Sequence, residues 1–319
     1  MWRAIAGALG GLVLVAGCGG DSGGTTAQGR AEVTVLDTAG VPSAFLGFGV
    51  EQGFFEEEGL DVKVQESEGG AEALPAVVSG DVQFAGSNVV SVLLASTEGL
   101  DVKIVAPGTF TRESPSEDFS AIMVAGESEI RSARELEGKV IAVNTLKNIT
   151  EVTTRAALEE EGVDASTLKL RELPFPDMAP AVQEGEVDAA YLIEPFVTQA
   201  QQEGMRVVER PYTGTMPGLQ VGSYVATTRY IESDPDQVEA FAAAIGRTGT
   251  YVEDNPEEFR AYLSDKAELP ASLAKQIDLP LWKAESDTQS LEALASLMVE
   301  YGLASEEPDV SSVLYRSEQ

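Results

Sequence analysis

An internal repeat constrains this chain more than any other feature. The motif EEEGLD at 56–61 recurs as EEEGVD at 159–164, and the segments GDVQF and GEVDAAY follow the two copies at similar distances. A β-rich run, VTVLD and then KVIAV, precedes each copy. The order strand, helix, strand, helix, strand is therefore predicted twice, which indicates two similar lobes with a function between them.

Length and charge agree with two lobes and narrow the partners. A chain of 319 residues is long for a single core and sufficient for two. Its net charge of −32 repels nucleic acid and anionic lipid headgroups. We therefore expect no nucleic acid partner.

The residue types that are absent remove several classes of enzyme. The chain has no histidine, so Ser-His-Asp and Cys-His catalysis are excluded. Its single cysteine cannot form an intrachain disulfide or a thiolate metal site. No Asp-rich calcium loop and no P-loop is present in the sequence. We expect neither a metal nor a cofactor.

The N-terminus has the features of a targeting segment. Residues Ala4–Gly17 are apolar but too few to span a bilayer, and they end in Val-Ala-Gly-Cys. This ending resembles the bacterial lipobox, which predicts a lipoprotein signal peptide at 1–17 and lipidation of Cys18. An ordinary secretory signal is the alternative. Residues 18–30 are rich in Gly, Ser and Thr and predict a flexible tether, so the membrane is reached by the lipid anchor only.

Alternating strands and helices predict an α/β fold with parallel strands and helices on both faces of each sheet. The Pro- and Gly-containing stretch Pro107–Phe119 is predicted as the first crossing between lobes, and Val221–Thr227 as the return. The later helices are expected to pack back on the first lobe. Lobe one is then 31–110 with 226–319, and lobe two is 111–225.

Ligands of open α/β sheets bind where strands end and helices begin, because helix N-termini present free N–H groups. Ser87 is predicted to cap the helix that starts at Val89, and Asn148 with Glu151 has the spacing of a capping box. Residues Ile130–Leu136 are predicted as a short helix.

Five segments together resemble the substrate-binding lipoproteins of ABC importers of the nitrate/sulfonate/taurine type. They are FGVEQGFFEEEGLDVKV (48–64), GGAEALPAVVSGDVQFAGSN (69–88), LEGKVIAVN (136–144), GEVDAAYLIEPF (185–196) and YGL (301–303). The resemblance covers Val33–Leu314. It implies a two-lobed type 2 periplasmic-binding-protein fold with two hinge crossings.

The same resemblance implies an extracytoplasmic, monomeric, lipid-anchored protein that does no chemistry. Such a protein captures a small solute and delivers it to an ABC permease and its ATPase. Members of the family handle nitrate, sulfonates, taurine and pyrimidine or other heterocyclic precursors. Two alternatives stay open: a pyrimidine-synthase-like enzyme on the same fold, whose relatives depend on a histidine, and a ligand-sensing module.

Candidate ligand-binding residues lie at the predicted strand ends and helix starts. Glu194 is interpreted as the partner of an amine or ring N–H, or alternatively as a hinge residue held by backbone amides. Arg112 and Lys147 are candidates to hold an anion, or else solvated surface charges. The full set of ligand-binding candidates is Asp37, Ser43, Phe45, Gly69, Gly70, Ser87, Asn88, Phe110, Asn144, Thr145, Asn148, Phe175, Glu194 and Phe196.

Overall fold

The computed structural model describes residues 29–266 and 269–316. The predicted signal peptide, Cys18 and the tether up to residue 28 lie outside the described residues. The strands are β1 Ala31–Thr38, β2 Leu60–Ser67, β3 Phe84–Asn88, β4 Val102–Pro107, β5 Thr109–Phe110, β6 Ser120–Val124, β7 Val140–Val143, β8 Lys169–Glu172, β9 Ala189–Ile193, β10 Arg206–Glu209, β11 Gly222–Thr227 and β12 Leu281–Trp282.

Helices connect these strands and make up most of the C-terminal part. The α-helices are α1 Val41–Glu51, α2 Phe54–Glu57, α3 Gly70–Ser79, α4 Val89–Thr97, α5 Ile149–Glu160, α6 Phe175–Gln183, α7 Phe196–Gln202, α8 Pro211–Thr215, α9 Thr228–Ser233, α10 Pro235–Asp254, α11 Pro256–Lys266, α12 Ala271–Ala274, α13 Thr288–Glu300 and α14 Val310–Val313. Short 3₁₀ helices cover Pro115–Glu117, Ala133–Leu136 and Ala165–Thr167.

The two large sheets have equivalent strand orders. The first is β2-β1-β3-β11-β4 and the second is β8-β7-β9-β6-β10. In each sheet the first three strands are parallel, and the fourth runs antiparallel to its neighbours. The strands of the two sequence repeats therefore occupy equivalent places. The antiparallel strand of each sheet is the one that follows a passage of the chain from the other sheet.

The strand β11 differs from the sequence-based prediction in two ways. Residues Val221–Thr227 were predicted as a crossing, but Gly222–Thr227 forms a strand between β3 and β4. The predicted lobe boundary after residue 225 consequently falls inside a strand of the first sheet. Strands β3 and β4 are thus not direct neighbours, so the prediction of purely parallel pairing is wrong for this half of the sheet.

Two local predictions also differ from the structure. Ser87 does not cap α4, because it lies within β3 opposite Ser223. Asn88 is the capping residue, and its side chain accepts a hydrogen bond from the Ser91 N–H at 2.9 Å. The short helix predicted at Ile130–Leu136 is only a 3₁₀ turn, Ala133–Leu136.

Two apolar clusters hold the fold together. One packs α1, α10 and α11 on one face of the first sheet, with Phe45, Phe48 and Phe241 fully buried in it. The other contains α3, α4 and α13 and continues into the second sheet. The C-terminal helices therefore pack on the first sheet, as predicted. Within the described ranges, no helix combines the length and apolarity that a membrane crossing requires.

Candidate functional site

A cavity lies between the two sheets, at the ends of strands from both. The cavity has a volume of about 60 Å³, counted as the space open to the centre of a water molecule. The first sheet contributes residues at the ends of β1 and β3 and the start of β11, while the second contributes the loop after β7 and the end of β9. This is the strand edge at which ligands of open α/β sheets are expected.

Half of the predicted ligand-binding residues lie together around this cavity. Each of them lies at a strand end or at the start of a helix, where the sequence predicts ligand binding. The predicted residues in the cavity wall are Asp37, Gly69, Ser87, Asn88, Asn144, Asn148 and Phe175.

The other half lie outside the cavity wall. Phe45 stacks on Trp282 in the core, with 4.4 Å between ring centroids. Phe110 is fully buried, and Phe196 packs behind Phe175. Phe45 and Phe110 thus fill the protein interior, and Phe196 is a partly buried ring that packs against the core.

The polar members of that half have partners within the protein. The Ser43 hydroxyl donates to Glu66 at 2.8 Å. Thr145 accepts a hydrogen bond from the Asn148 amide at 2.6 Å. Gly70 begins α3 against Ser87, whose hydroxyl would lie 2.2 Å from a Cβ atom at position 70. These residues support the site without lining it.

Glu194 is almost completely buried, but it does not line the cavity. Its Oε2 accepts from the Thr198 N–H at 3.1 Å, and its Oε1 accepts from the Thr198 hydroxyl at 2.6 Å and the Asp278 N–H at 3.2 Å. Burial raises the pKa of Glu194 to about 7. The geometry matches the alternative interpretation, a residue held by backbone amides near the hinge.

The two basic candidates also lie away from the cavity. Arg112 forms an ion pair with Glu253 at 3.3 Å and donates to the Leu279 carbonyl at 3.2 Å. Lys147 is an exposed loop residue with a φ of 53°. Among the described residues in the cavity wall, none is a lysine or an arginine.

Direct hydrogen bonds close the cavity across the two lobes. The Asn144 amide, which follows β7, donates to the Glu68 carbonyl after β2 at 2.9 Å. The Asn88 side-chain oxygen, which caps α4, also accepts from the Ile149 N–H of α5 at 3.3 Å. Residues of the wall thus bring the N-termini of helices from both lobes together, and the lobes are in a closed arrangement.

A second set of contacts joins the lobes near Glu194. The Arg210 guanidinium, after β10, lies 3.7 Å from the Asp278 carboxylate in the C-terminal part. Arg210 also donates to the Ser120 carbonyl at 3.0 Å. Together with the hydrogen bond from the Asp278 N–H to Glu194, this ion pair stabilises the closed arrangement.

Among the residues that the structure describes, Asp37 is the one carboxylic acid in the wall of the cavity. Its Oδ1 accepts from the Thr38 N–H at 2.8 Å and its Oδ2 from the Tyr224 hydroxyl at 3.2 Å. Burial raises the pKa of Asp37 to about 7, although both hydrogen bonds act in the opposite direction. The Asp37 carboxyl can accept a hydrogen bond from a solute, and the amide and hydroxyl groups around it are polar as well.

Sequence reasoning missed several residues of the wall. The most substantial are Phe119, Tyr212 and Tyr224, which lie in or near the passages of chain between the lobes. Their aromatic side chains, next to predicted crossings between the lobes, are the sequence signal that could have indicated a place in the site. The full set is Thr38, Pro42, Gly108, Thr109, Phe119, Ile149, Thr150, Ile193, Tyr212, Val221, Gly222, Ser223 and Tyr224.

Comparison with known families settles the relationship of this chain. Residues 43–259, more than half of the chain, match the family model described as NMT1/THI5 like. The chain belongs to the NMT1/THI5-like family. The matched region includes both copies of the EEEG motif and the cavity wall apart from Asp37, Thr38 and Pro42.

Curated relatives of this NMT1/THI5-like protein are binding proteins. It is 26% identical over 205 residues to the taurine-binding periplasmic protein of Escherichia coli, with 64% of this chain and 61% of that one covered. It is 21% identical to the formylaminopyrimidine-binding protein of Halalkalibacterium halodurans, with 73% and 70% covered. The chain spans about three fifths of the length of the taurine-binding relative.

Solved structures confirm the predicted fold. The alkanesulfonate-binding protein of Xanthomonas axonopodis pv. citri bound to MOPS has a TM-score of 0.77 at 17% identity, covering 90% of this chain and 98% of that chain. The periplasmic aliphatic sulphonate binding protein of Escherichia coli has a TM-score of 0.71 at 18% identity, with 90% and 93% covered. The NMT1/THI5-like chain therefore has the two-lobed fold of periplasmic binding proteins.

Proposed function

We propose that this protein is the solute-binding component of an ABC importer. It captures a small solute between its lobes and delivers the solute to a permease that is driven by an ATPase. The observation that carries this proposal is the cavity between the sheets, closed by the hydrogen bonds from Asn144 to Glu68 and from Ile149 to Asn88. In this proposal the solute enters while the lobes are apart, and its binding then favours the closed arrangement.

The class of solute is narrowed by the relatives and by the wall. The relatives are described as binding taurine, aliphatic sulfonates and a formylaminopyrimidine. The wall combines aromatic rings with amides and hydroxyls, a lining typical of sites for small organic molecules. We propose a small organic solute from the sulfonate, taurine or pyrimidine-precursor classes.

The protein is proposed to act as a monomer outside the cytoplasmic membrane, anchored by lipid at Cys18. The lipobox-like ending of the N-terminal segment supports the anchor. The description of the E. coli relative as a taurine-binding periplasmic protein supports the location. Metabolic labelling with a fatty acid analogue tests the anchor, and Cys18→Ala should abolish the label.

A ligand screen with the purified full-length chain tests the binding function. The panel contains nitrate, ethanesulfonate, taurine, 4-amino-2-methylpyrimidine, thiamine and riboflavin, and the readout is thermal unfolding. A solute at 100 times its dissociation constant stabilises the native state by about 2.7 kcal/mol. We expect at least one such solute, and we expect cells that lack the protein to lose its uptake.

A control variant separates binding in the cavity from binding elsewhere. Asn144→Ala removes the hydrogen bond to Glu68 that helps to close the lobes, and it should weaken binding of the solute. Lys147→Ala, at an exposed site three residues away, should not. If no solute from the panel or from a cell extract stabilises the protein, the binding function is wrong.

A further inference from the structure

The Asp37 carboxyl occupies a recess formed by three neighbouring strands. Leu36 of β1 is in register with Ala85 of β3, and Gly86 of β3 is in register with Tyr224 of β11. Asp37 therefore lies beside Gly86, and its carboxyl reaches over the glycine to the Tyr224 hydroxyl. A Cβ atom at position 86 would lie 1.9 Å from the Asp37 Oδ1, so the recess exists only because residue 86 is a glycine.

The carboxyl has hydrogen-bonding capacity that the protein does not use. A carboxylate offers about four acceptor sites on its two oxygens. The Thr38 N–H and the Tyr224 O–H are its two partners, and the residue lines the cavity. Further donors to Asp37 must therefore come from the cavity itself.

Within the described part of the cavity wall, no positively charged side chain compensates this carboxyl. The described wall contains neither lysine nor arginine, and the chain has no histidine. The charged neighbour across the sheet is Glu66, which is in register with Asp37 on β2 and adds negative charge. A buried carboxylate is costly unless it is paired, so a cationic or N–H donating group in the cavity would remove that cost.

Other residues of the same cavity wall are suited to the apolar part of a solute. Phe119, Phe175 and Tyr212 contribute aromatic rings to it. The amide of Asn144 is engaged with Glu68, and the oxygens of Asn88 and Asn148 accept hydrogen bonds from the starts of helices. The three asparagines of the wall are thus committed to the protein, whereas each Asp37 oxygen accepts a single hydrogen bond and can accept another.

We propose that Asp37 selects solutes that carry a protonated nitrogen, either an ammonium or a ring or exocyclic N–H group. The inference rests on the proposed solute-binding function and names the chemistry that the site requires. It assigns to Asp37 the recognition role that the sequence suggested for Glu194. Solutes without a nitrogen donor, such as nitrate and simple alkanesulfonates, are then disfavoured, because they offer no N–H group to this carboxyl and are repelled by its ionised form.

Matched pairs of solutes test this selection by titration calorimetry with the full-length chain. Taurine and ethanesulfonate differ by the ammonium group, and 4-amino-2-methylpyrimidine and 2,4-dimethylpyrimidine differ by the exocyclic N–H₂. We expect the nitrogen donor to bind at least tenfold more tightly in any pair that binds. If the screen yields another solute, that solute and its analogue without the N–H group form the pair.

Two variants with the same change of charge test the residue. Asp37→Asn should reduce the affinity for the nitrogen-bearing solute at least tenfold. Glu203→Gln, at an exposed site outside the cavity wall, should change the affinity less than threefold. Thermal unfolding of both variants without solute shows whether each is folded, and a folded Asp37→Asn variant with wild-type affinity would overturn the inference.

The pH dependence of taurine binding gives an independent readout. Because the pKa of Asp37 is raised to about 7, a cation must displace a proton from Asp37 below this pH. The affinity should rise by up to tenfold per pH unit from pH 5 to 7 and then level off, with no such rise in Asp37→Asn. Tyr224 and Glu66 are the other titratable groups that face this carboxyl, and Tyr224 stays protonated because burial raises its pKa well above the ordinary value.

The outcomes separate this inference from the proposed function. If ethanesulfonate or nitrate binds as tightly as the nitrogen-bearing solutes, the role of Asp37 is wrong and the solute-binding function stands. If no solute binds at all, the proposed function fails, and the inference fails with it.

Discussion

Replacing Glu194 by glutamine should alter the pH dependence of stability more than it alters solute binding. The Glu194 carboxyl is buried beside the hinge and accepts hydrogen bonds from Thr198 and from the Asp278 N–H. It does not line the cavity. The variant keeps the shape of the side chain and removes its ability to ionise, so the two roles considered for Glu194 give opposite results.

The magnitude follows from the pKa of this carboxyl. Burial raises the pKa of Glu194 from 4.5 to about 7, so the folded protein binds this proton more tightly than the unfolded chain. The resulting stabilisation is fully present below pH 4.5 and is lost as the pH rises through 7. At about 1.4 kcal/mol per pH unit, the loss is about 3 kcal/mol.

Glutamine does not share this loss. At pH 5 the wild-type carboxyl is protonated, so it resembles the amide in having one carbonyl acceptor for the N–H groups of Thr198 and Asp278. Glu194→Gln should therefore be about as stable as the wild type at pH 5, and it should be the more stable of the two by pH 8, where the wild type has lost the stabilisation from its bound proton.

Urea unfolding of both proteins at pH 5, 6, 7 and 8 measures this change. The exposed Glu203→Gln variant is the matched control, and its difference from the wild type should vary little across this range. A difference in unfolding free energy between Glu194→Gln and the wild type that stays constant from pH 5 to pH 8 would refute the reasoning. A tenfold loss of solute affinity in Glu194→Gln would instead restore its role as a ligand partner.

Three further variants test the site and its closure. Gly86→Ala places a Cβ atom 1.9 Å from Asp37 Oδ1, so the carboxyl must move and calorimetry should find solute affinity reduced at least tenfold; unchanged affinity would contradict the recess. Arg210→Met removes the ion pair with Asp278 across the lobes, so small-angle scattering should detect a larger radius of gyration without solute, and an unchanged radius would contradict the contact's role. The Asn148 side chain caps α5 by accepting hydrogen bonds from the Thr150 and Glu151 N–H groups. Asn148→Ala should therefore lower the free energy of unfolding by about 1–2 kcal/mol in chemical denaturation, and an unchanged value would contradict the capping role.

The repeated part of the fold was predictable because its signals are local. Strand β9 is a continuous run of buried apolar residues, and a glycine with positive φ precedes it at Gly185. Such runs, helices that end at glycine, and two copies in the same order define two lobes without knowledge of any distant contact. The packing of α13 was predictable for the same reason, since Leu291, Leu294 and Met298 recur at helical spacing and are buried.

The antiparallel strand of the first sheet was not predictable in this way. Residues Gly222–Thr227 follow a turn-rich stretch and precede a helical region, and this context was interpreted as a crossing. The burial of Ser223–Ala226 comes from insertion between β3 and β4, strands that lie more than a hundred residues earlier. Local sequence patterns predict the order of strands along the chain. Which strands are neighbours in a sheet depends on contacts between distant segments, here those of β11 with β3 and β4.

The same limit explains why the sequence alone does not decide between Asp37 and Glu194, both of which it offers as ligand-binding candidates. Both are acids at the ends of predicted strands, and local pattern cannot distinguish them. Their difference lies in the donors that meet them. Glu194 lies outside the cavity wall and accepts three hydrogen bonds, two from Thr198 and one from the distant Asp278 N–H. Asp37 lies in the cavity wall, and each of its oxygens accepts one hydrogen bond, from the Thr38 N–H and from the Tyr224 hydroxyl 187 residues along the chain. The position of an acid at a strand end is thus a local property, but its availability to a solute is set by partners from the returning chain.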